Sequence, residues 1–280
     1  MREREFGPQR HPLPVVGLGT WNMERDDRAA AIAALKTGLD LGMTHVDTAE
    51  MYGDGRVERL VARAIAGRRD ELYLVSKVLP QNASRVKTIA ACEHSLERLG
   101  TDRLDLYLLH WRGRVPLAET FEAFERLVAD GKILAYGVSN FDVPDLEEAV
   151  AIAGAGRIAC NQVLYHLEER SIEHTLIPWC RDHDIAVVAY SPFGSGRFPA
   201  STTAGGRALA TVATTHAVTP HAVALAFLIE RGGAFTIPKT SSAEHALQNA
   251  AGGDLALSSA ELASIDRAFP AKRRRDLAML

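Results

Sequence analysis

Short apolar runs rich in β-branched residues alternate along this chain with longer amphipathic segments. Eight runs have the length and composition of strands: VVGLG (15–19), THVD (44–47), LYLVSK (72–77), LDLYLLH (104–110), LAYGVSN (134–140), IACNQ (158–162), AVVAYS (186–191) and AFTIPK (234–239). Helical periodicity between them includes residues 28–40, 56–66, 86–98, 118–129 and 145–151. Because this alternation implies parallel strands joined by right-handed crossovers, eight units in 280 residues predict an α/β fold, a (β/α)8 TIM barrel. An open doubly wound sheet is the alternative architecture.

The chain shows no internal boundary. No Gly/Ser-rich linker or low-complexity tract interrupts the alternation, and α/β barrels routinely take about 250 residues as one unit. We therefore expect residues 1–280 to form a single barrel domain, with an N-terminal extension before the first strand and a short C-terminal tail.

Composition narrows the class of protein. The chain is 47% hydrophobic and 24% charged, and its net charge of −3 argues against a nucleic-acid partner, since the basic cluster at 272–275 is short. No apolar run approaches the ~18 residues of a membrane span, and no signal-peptide pattern opens the chain. Three widely spaced cysteines without a CxxC pair favour reduced thiols and a cytoplasmic location.

Polar residues fall where the predicted strands end. They are Asp47, Lys77, His110, Ser139, Asn140, Gln162, Tyr190 and Lys239. The carboxyl ends of barrel strands meet at one rim, which is where barrel enzymes carry their catalytic groups. The pattern therefore predicts a polar site at that rim.

Four of the residue types suit the reduction of a carbonyl, which needs a hydride donor at carbon and a proton donor at oxygen. No Cys/His cluster suggests a zinc site to polarise the carbonyl, so a protein acid is required. A free tyrosine titrates near pH 10, and an ammonium such as Lys77 is expected to lower the pKa of Tyr52. Asp47 would hold Lys77, and His110 would donate a hydrogen bond to the carbonyl oxygen.

Each of these residues, taken alone, also has an ordinary structural explanation. Tyr52 would serve as a packing aromatic, His110 as a hydrogen-bonded histidine at a strand end, and Lys77 as a surface charge. Asp47 before a threonine suits a turn. Periodicity alone therefore indicates a barrel enzyme of undefined reaction.

Eight ordered motifs narrow this further. They are GLGTW (17–21), VDTAEMYGDG (46–55), VSKV (75–78), LDLYLLHW (104–111), GVSNF (137–141), NQVLYH (161–166), AYSPFG (189–194) and IPKTSS (237–242). In this order they resemble the signatures of the aldo-keto reductase family, in particular its short bacterial methylglyoxal reductase-like members. The similarity continues through ELASIDRAFP to the C-terminal DLAML.

The resemblance implies a role for each matched residue. It makes Asp47, Tyr52, Lys77 and His110 the catalytic tetrad, with Tyr52 as general acid, and it places Trp21 and Trp111 in the wall of the substrate pocket, although a tryptophan in the core is the alternative. The implied cofactor-binding residues are Gly19, Thr20, Ser139, Asn140, Gln162, Tyr190, Ser191, Pro192, Phe193, Gly194, Ser195, Ile237, Pro238, Lys239, Thr240, Ser241, Ser242, His245, Gln248 and Asn249. Within this set, Lys239, Thr240 and Ser241 resemble a site for the adenosine 2′-phosphate, and no metal is implied.

The implied activity is NADPH-dependent reduction of small aldehydes, dicarbonyls or ketones, with NADH as a weaker cofactor. His245 stands where many relatives carry an arginine, so we expect a narrower preference for NADPH. Short loops and a ten-residue tail after Pro270 predict an open pocket for small carbonyls, in a monomer or weak homo-oligomer. Two alternatives stay open: a non-catalytic NADP-binding regulatory or redox-sensing subunit, and a lyase or isomerase with Lys77 as a Schiff base.

Overall fold

The computed structural model describes residues 1–280 and contains an eight-stranded parallel sheet preceded by a two-stranded hairpin. The hairpin strands are β1 (Glu3–Phe6) and β2 (His11–Pro14). The parallel strands are β3 (Leu18–Gly19), β4 (His45–Asp47), β5 (Tyr73–Val78), β6 (Leu104–Leu109), β7 (Ile133–Ser139), β8 (Ile158–Leu164), β9 (Ala186–Tyr190) and β10 (Phe235–Thr236). Each parallel strand pairs with the next along the chain, as expected for successive βα units.

Ten α-helices surround the strands. They are α1 (Arg28–Asp40), α2 (Arg56–Ala64), α3 (Arg85–Leu99), α4 (Leu117–Ala129), α5 (Val143–Ala153), α6 (Leu176–Asp182), α7 (Ala204–His216), α8 (Pro220–Gly232), α9 (Ala243–Asp254) and α10 (Ser259–Ala268). The five predicted helices agree with α1 to α5 within two residues. The connection after β9 ends at Thr203, whose side chain caps the first turn of α7.

Backbone hydrogen bonds join the first and last parallel strands and close the sheet into a barrel. The amide of Thr236 donates to Val15 O at 2.9 Å, and that of Gly19 donates to Pro238 O at 3.1 Å. A Cβ at Gly19 would lie 2.4 Å from Ile237 O, so the close approach requires glycine. β3 and β10 are shorter than the predicted runs at 15–19 and 234–239, since Val16 and Lys239 pair at this closure only through isolated bridges.

The N-terminal hairpin packs against the amino ends of the barrel strands. Its Phe6 ring lies edge-on to Tyr73 at 5.5 Å, to Phe235 at 5.1 Å and to His45 at 6.2 Å between ring centroids. The sequence pattern predicted no strand here because His11–Pro14 contains two prolines, which a two-stranded edge pairing tolerates. The hairpin covers the end of the barrel that lies opposite the polar strand ends.

The barrel interior and the helix faces form one apolar cluster of 75 buried residues, running from Phe6 to Phe269. The three cysteines are buried and unpaired. No single helix is long and apolar enough to cross a membrane. The consecutive helices α7 and α8 reach that length and composition only as a pair bent by 96°.

Candidate active site

A cavity opens at the carboxyl ends of the strands. Its wall includes seven of the eight polar strand-end residues, and the eighth, Lys77, lies just beneath it. Tyr52 and the predicted pocket residues Trp21 and Trp111 also border the cavity, as do Gly19, Thr20, Ser191 and Ile237. The eight polar residues come from seven strand ends, since Ser139 and Asn140 both lie at the end of β7, and Thr20 and Trp21 add the end of β3. The rim therefore carries a polar site, as the sequence pattern predicted.

Lys77 is the centre of the polar cluster. Its ammonium donates to Asp47 Oδ1 at 2.5 Å, to Thr48 O at 2.8 Å and to Tyr52 Oη at 3.3 Å. Lys77 is fully buried and Asp47 nearly so. Burial lowers the pKa of Lys77, but Asp47 and Tyr52 outweigh it and the net pKa is raised. All three donors of the ammonium are thus satisfied, and the group is held in its charged form.

Asp47 is fixed from the other side of the barrel. Its second carboxylate oxygen accepts a hydrogen bond from Gln162 Nε2 at 2.8 Å, and its backbone carbonyl accepts one from Thr20 Oγ1 at 2.8 Å. Gln162 lies on β8, whereas Asp47 ends β4, so this bond crosses the barrel mouth. The bond between Asp47 and Gln162 has no signal in the sequence, because it joins residues 115 positions apart.

Tyr52 is placed in a short turn between β4 and α2. Its hydroxyl oxygen accepts from Lys77, which leaves its own proton free toward the cavity. Burial raises the pKa of Tyr52, and the opposing effect of Lys77 is smaller. The expectation that Lys77 would bring this pKa below its ordinary value was therefore wrong: the ammonium acts in the predicted direction, but desolvation wins. Tyr52 is protonated at neutral pH.

His110 follows β6 and borders the same cavity. Burial, assisted by the charge of Lys77, lowers the pKa of His110 well below its ordinary value, so the ring is neutral. Its Nδ1 is buried without a hydrogen-bond partner, and its ring lies 4.8 Å from that of Trp111 and 5.9 Å from that of Tyr52. A neutral imidazole keeps one N–H donor.

Ser139, Asn140 and Tyr190 form a hydrogen-bonded wall on the far side. Tyr190 donates its hydroxyl to Asn140 Oδ1 at 2.9 Å, and Asn140 Nδ2 donates to His110 O at 3.1 Å. Ser139 Oγ donates to Gln162 O at 2.8 Å. Asn140 has a left-handed backbone with φ 59°, which turns its side chain back toward the cavity. The wall is thus rigidly positioned by its own contacts.

A second, smaller cavity adjoins the first at Lys239. The residues around it include the predicted Phe193, Lys239, Thr240, His245, Gln248 and Asn249, together with His221. Lys239 borders both cavities, so they form one path along the rim. The Ser242 hydroxyl caps α9 by accepting from the His245 amide at 3.3 Å.

The other predicted residues line neither cavity and lie in the segments that follow β9 and β10. Pro192, Gly194 and Ser195 form a tight turn after β9, in which the Gly194 amide donates to Ser191 O at 2.8 Å. Gly194 and Ser195 both have positive φ. Pro238 accepts the hydrogen bond that closes the barrel, and Ser241 donates to Asp26.

Several residues that border this path were missed by sequence reasoning. Met279 and Leu280 border the main cavity, where the backbone of Leu280 contacts the Tyr190 hydroxyl and opposes the burial that raises the Tyr190 pKa to about 12. The DLAML similarity was the only sequence signal for them. Asp26, which pairs with Lys239, and His221 carried no signal, because both depend on contacts made only in the fold.

Known proteins share this architecture over nearly the whole chain. Residues 15–269 match the model of the aldo/keto reductase family. The methylglyoxal reductase YeaE of Escherichia coli K12 is 46% identical over 263 residues, which are 93% of each chain. An aldo/keto reductase from Klebsiella pneumoniae, solved in complex with NADP and acetate and also with NADPH, is 45% identical with a TM-score of 0.92 and covers 100% of this chain and 99% of its own.

The motifs, the fold and these similarities agree. They confirm the family predicted from the sequence. The chain therefore belongs to the aldo/keto reductase family, whose members are NAD(P)H-dependent oxidoreductases.

Proposed function

We propose that this chain reduces small aldehydes, dicarbonyls or ketones to alcohols with NADPH, and that Tyr52 is the general acid. Residues 1–280 act in this proposal as one barrel domain. The observation that carries it is the Lys77 ammonium, held 3.3 Å from the Tyr52 hydroxyl and anchored by Asp47, beside a cavity.

In the proposed reaction a carbonyl oxygen sits within hydrogen-bond reach of Tyr52 and of His110. Bound NADPH supplies a hydride to the carbonyl carbon, and Tyr52 transfers its proton to the oxygen. The carbonyl π bond breaks, a C–H and an O–H bond form, and the phenolate left on Tyr52 is stabilised by Lys77. Neutral His110 donates its N–H to the oxygen and orients it.

Lys77 assists this step through charge. An ammonium next to Tyr52 stabilises the phenolate more than the phenol, so its contribution grows as the proton leaves. Asp47 keeps Lys77 in place and protonated, as the short contact and the raised pKa of Lys77 support. Asp47 is therefore a positioning residue in this proposal.

The polar path along the rim suits a dinucleotide. The Tyr190 ring and the amides of Asn140 and Gln162 would hold a nicotinamide and its carboxamide in the main cavity. Lys239, Thr240 and Ser241, followed by the N-terminus of α9, would hold the 2′-phosphate, with His245, Gln248 and Asn249 near the adenosine. Of the other residues assigned to the cofactor, six line the two cavities: Gly19, Thr20, Ser139, Ser191, Phe193 and Ile237. The remaining assignments, Pro192, Gly194, Ser195, Pro238 and Ser242, rest on the resemblance of their motifs and on their position next to these residues in the sequence.

Two tryptophans that border the main cavity would limit the size of the substrate. Trp21 is 37% exposed at the cavity edge, and the Trp111 ring lies beside that of His110, tilted by 55°. Two flat apolar walls around one proton donor suit a small carbonyl compound, methylglyoxal and aromatic aldehydes among them. Bulky steroids should have a lower kcat/KM than these compounds.

The direct test is oxidation of NADPH that depends on an added carbonyl compound, measured over a panel of methylglyoxal, aromatic aldehydes, ketones and steroids. Tyr52→Phe serves as the control. Turnover by the wild type and its loss in the variant support the proposal. Tight NADPH binding with no turnover over the whole panel contradicts it and identifies a binding subunit instead.

A Schiff-base role for Lys77 is disfavoured by its surroundings. A nucleophilic amine must be deprotonated, whereas the Lys77 pKa is raised and its three donors are occupied. Borohydride treatment in the presence of an aldehyde should therefore leave Lys77 unlabelled.

A further inference from the structure

An ion pair lies at the junction of the two cavities. Asp26, in the connection between β3 and α1, pairs with the Lys239 ammonium through Oδ2, and the same oxygen accepts a 2.5 Å hydrogen bond from Ser241. Burial raises the pKa of Asp26, but the hydrogen bonds from Lys239 and Ser241 outweigh it and lower the net pKa. Asp26 is thus an anion bound by the two groups proposed above to bind the 2′-phosphate.

A carboxylate and a phosphate compete for the same donors. Lys239 and Ser241 each supply a donor that suits either anion, and both now point at one Asp26 oxygen. A 2′-phosphate approaching these groups brings nearly two negative charges toward the Asp26 carboxylate. The repulsion falls on NADPH alone, since NADH carries a hydroxyl at this position.

The structure also offers Asp26 a second position. On its other side lies a basic pocket, lined by Asp26 and Glu24 and by Arg28, Arg56, Arg59 and Arg63. None of these four arginines forms an ion pair with a carboxylate. The Asp26 amide donates to Met23 O at 3.2 Å, and Asp27 caps α1, so the backbone is fixed on both sides and only the side chain needs to rotate.

We propose that Asp26 is a coenzyme-specificity residue, which occupies Lys239 and Ser241 in the absence of a 2′-phosphate and moves to the arginine-lined pocket when the phosphate binds. This inference rests on the proposed use of NADPH. Asp26 lowers the affinity for NADPH, leaves that for NADH unchanged, and so narrows the preference between them. This effect of Asp26 adds to the narrower preference for NADPH that is expected because His245 stands where many relatives carry an arginine.

The test is Asp26→Asn, which removes the charge but keeps the shape. Dissociation constants for NADPH and NADH are measured by calorimetry and by tryptophan fluorescence. Asp26→Asn should tighten NADPH binding about tenfold and change NADH binding by less than about twofold, as expected for loss of one competing charge. The comparison variant is Glu24→Gln, which removes a charge from the same basic pocket without contacting Lys239; it should leave NADH binding unchanged and tighten NADPH binding less than Asp26→Asn does.

A double-mutant cycle locates the effect. On a Lys239→Met background, Asp26→Asn should change NADPH affinity by a smaller factor than in the wild type, because Ser241 is then the only donor that Asp26 and the phosphate share. Weaker NADPH binding in Asp26→Asn, equal tightening of NADPH and NADH, or the same gain in Glu24→Gln would each overturn the inference. If the wild type binds NADPH and Asp26→Asn binds it equally well, only this inference fails. If the wild type does not bind NADPH, the proposed function itself fails.

Discussion

The barrel rim carries two lysine–carboxylate pairs of the same chemistry in opposite surroundings. Lys77 and Asp47 have side chains 0% and 2% exposed, whereas Lys239 and Asp26 are 31% and 32% exposed. The buried pair has further partners on both sides, in Thr48, Tyr52 and Gln162. The more exposed pair, Lys239 and Asp26, has Ser241 as a further hydrogen-bond partner and borders open cavities.

The difference shows how burial decides what an ion pair is used for. A buried pair with all donors satisfied has no substitute for either partner, because neither charge can return to water without unfolding the site. A partly exposed pair such as Lys239 and Asp26 is screened by solvent and can exchange partners at little cost in free energy. The first pair suits a fixed charge beside a proton donor, and the second suits a site where an anion must enter and leave.

The largest expected effect tests this contrast through stability. Lys77→Met leaves the Asp47 carboxylate buried with only Gln162 for support, and removing one partner of a buried pair costs about 3–5 kcal/mol. Lys239→Met should cost no more than about 1 kcal/mol, as for an exposed pair. Urea unfolding of both variants measures the difference. Equal losses would show that the two pairs do not differ as their burial indicates.

The next effect concerns the proton donor. Tyr52→Phe should lower kcat by at least about 100-fold, equivalent to about 2.7 kcal/mol, because the hydroxyl acts only in the transition state. NADPH affinity should change little, since Tyr52 contacts the buried Lys77 and lies away from the residues proposed to bind the 2′-phosphate. Steady-state kinetics together with equilibrium binding separate the two quantities. A variant that keeps near-wild-type kcat would remove Tyr52 from the role of acid.

A smaller effect is expected at the phosphate end. His245→Arg should tighten NADPH binding by about 1 kcal/mol and leave NADH binding unchanged, because arginine binds phosphate through two parallel hydrogen bonds. His245 is exposed in the first turn of α9 and borders the cavity shared with Lys239. His245→Gln is the matched control. Calorimetry with both cofactors decides the matter, and an equal response of NADPH and NADH would place His245 away from the phosphate.

The smallest expected effect is that of pH on kcat, which should be weak. Burial raises the pKa of Tyr52, so the acid stays protonated until the pH exceeds about 10, and burial lowers the pKa of His110 well below about 6.5, so the ring stays neutral above that range. For reduction, kcat should therefore vary by less than about twofold between pH 7 and 9. Lys77→Met removes an influence that lowers the Tyr52 pKa, so the pH above which kcat declines should be higher in this variant. A decline of the wild-type kcat that begins near neutral pH would contradict the raised pKa of Tyr52.

The sequence predicted the barrel well because its strands follow a simple period and its polar groups mark their ends. Asp47, Lys77 and His110 could be assigned to one rim from the sequence because each lies within one residue of the end of a strand. The prediction for the pKa of Tyr52 was wrong because desolvation depends on everything packed around the ring, which no local pattern records. The Asp26–Lys239 pair and the Asp47–Gln162 bond were missed because they join residues 213 and 115 positions apart.

The N-terminal hairpin contacts the surroundings of the same cluster from the other end of the barrel. The Phe6 ring packs edge-on against that of His45. Burial lowers the pKa of His45 to about 4, while Asp47 raises it and Lys77 lowers it by smaller amounts. His45 therefore interacts electrostatically with Asp47 and Lys77, while Phe6 separates its ring from solvent. Because Phe6 and His45 are almost fully buried, the hairpin covers the floor of the barrel, and the charge on Lys77 acts on Tyr52 in surroundings that screen it less than an open floor would.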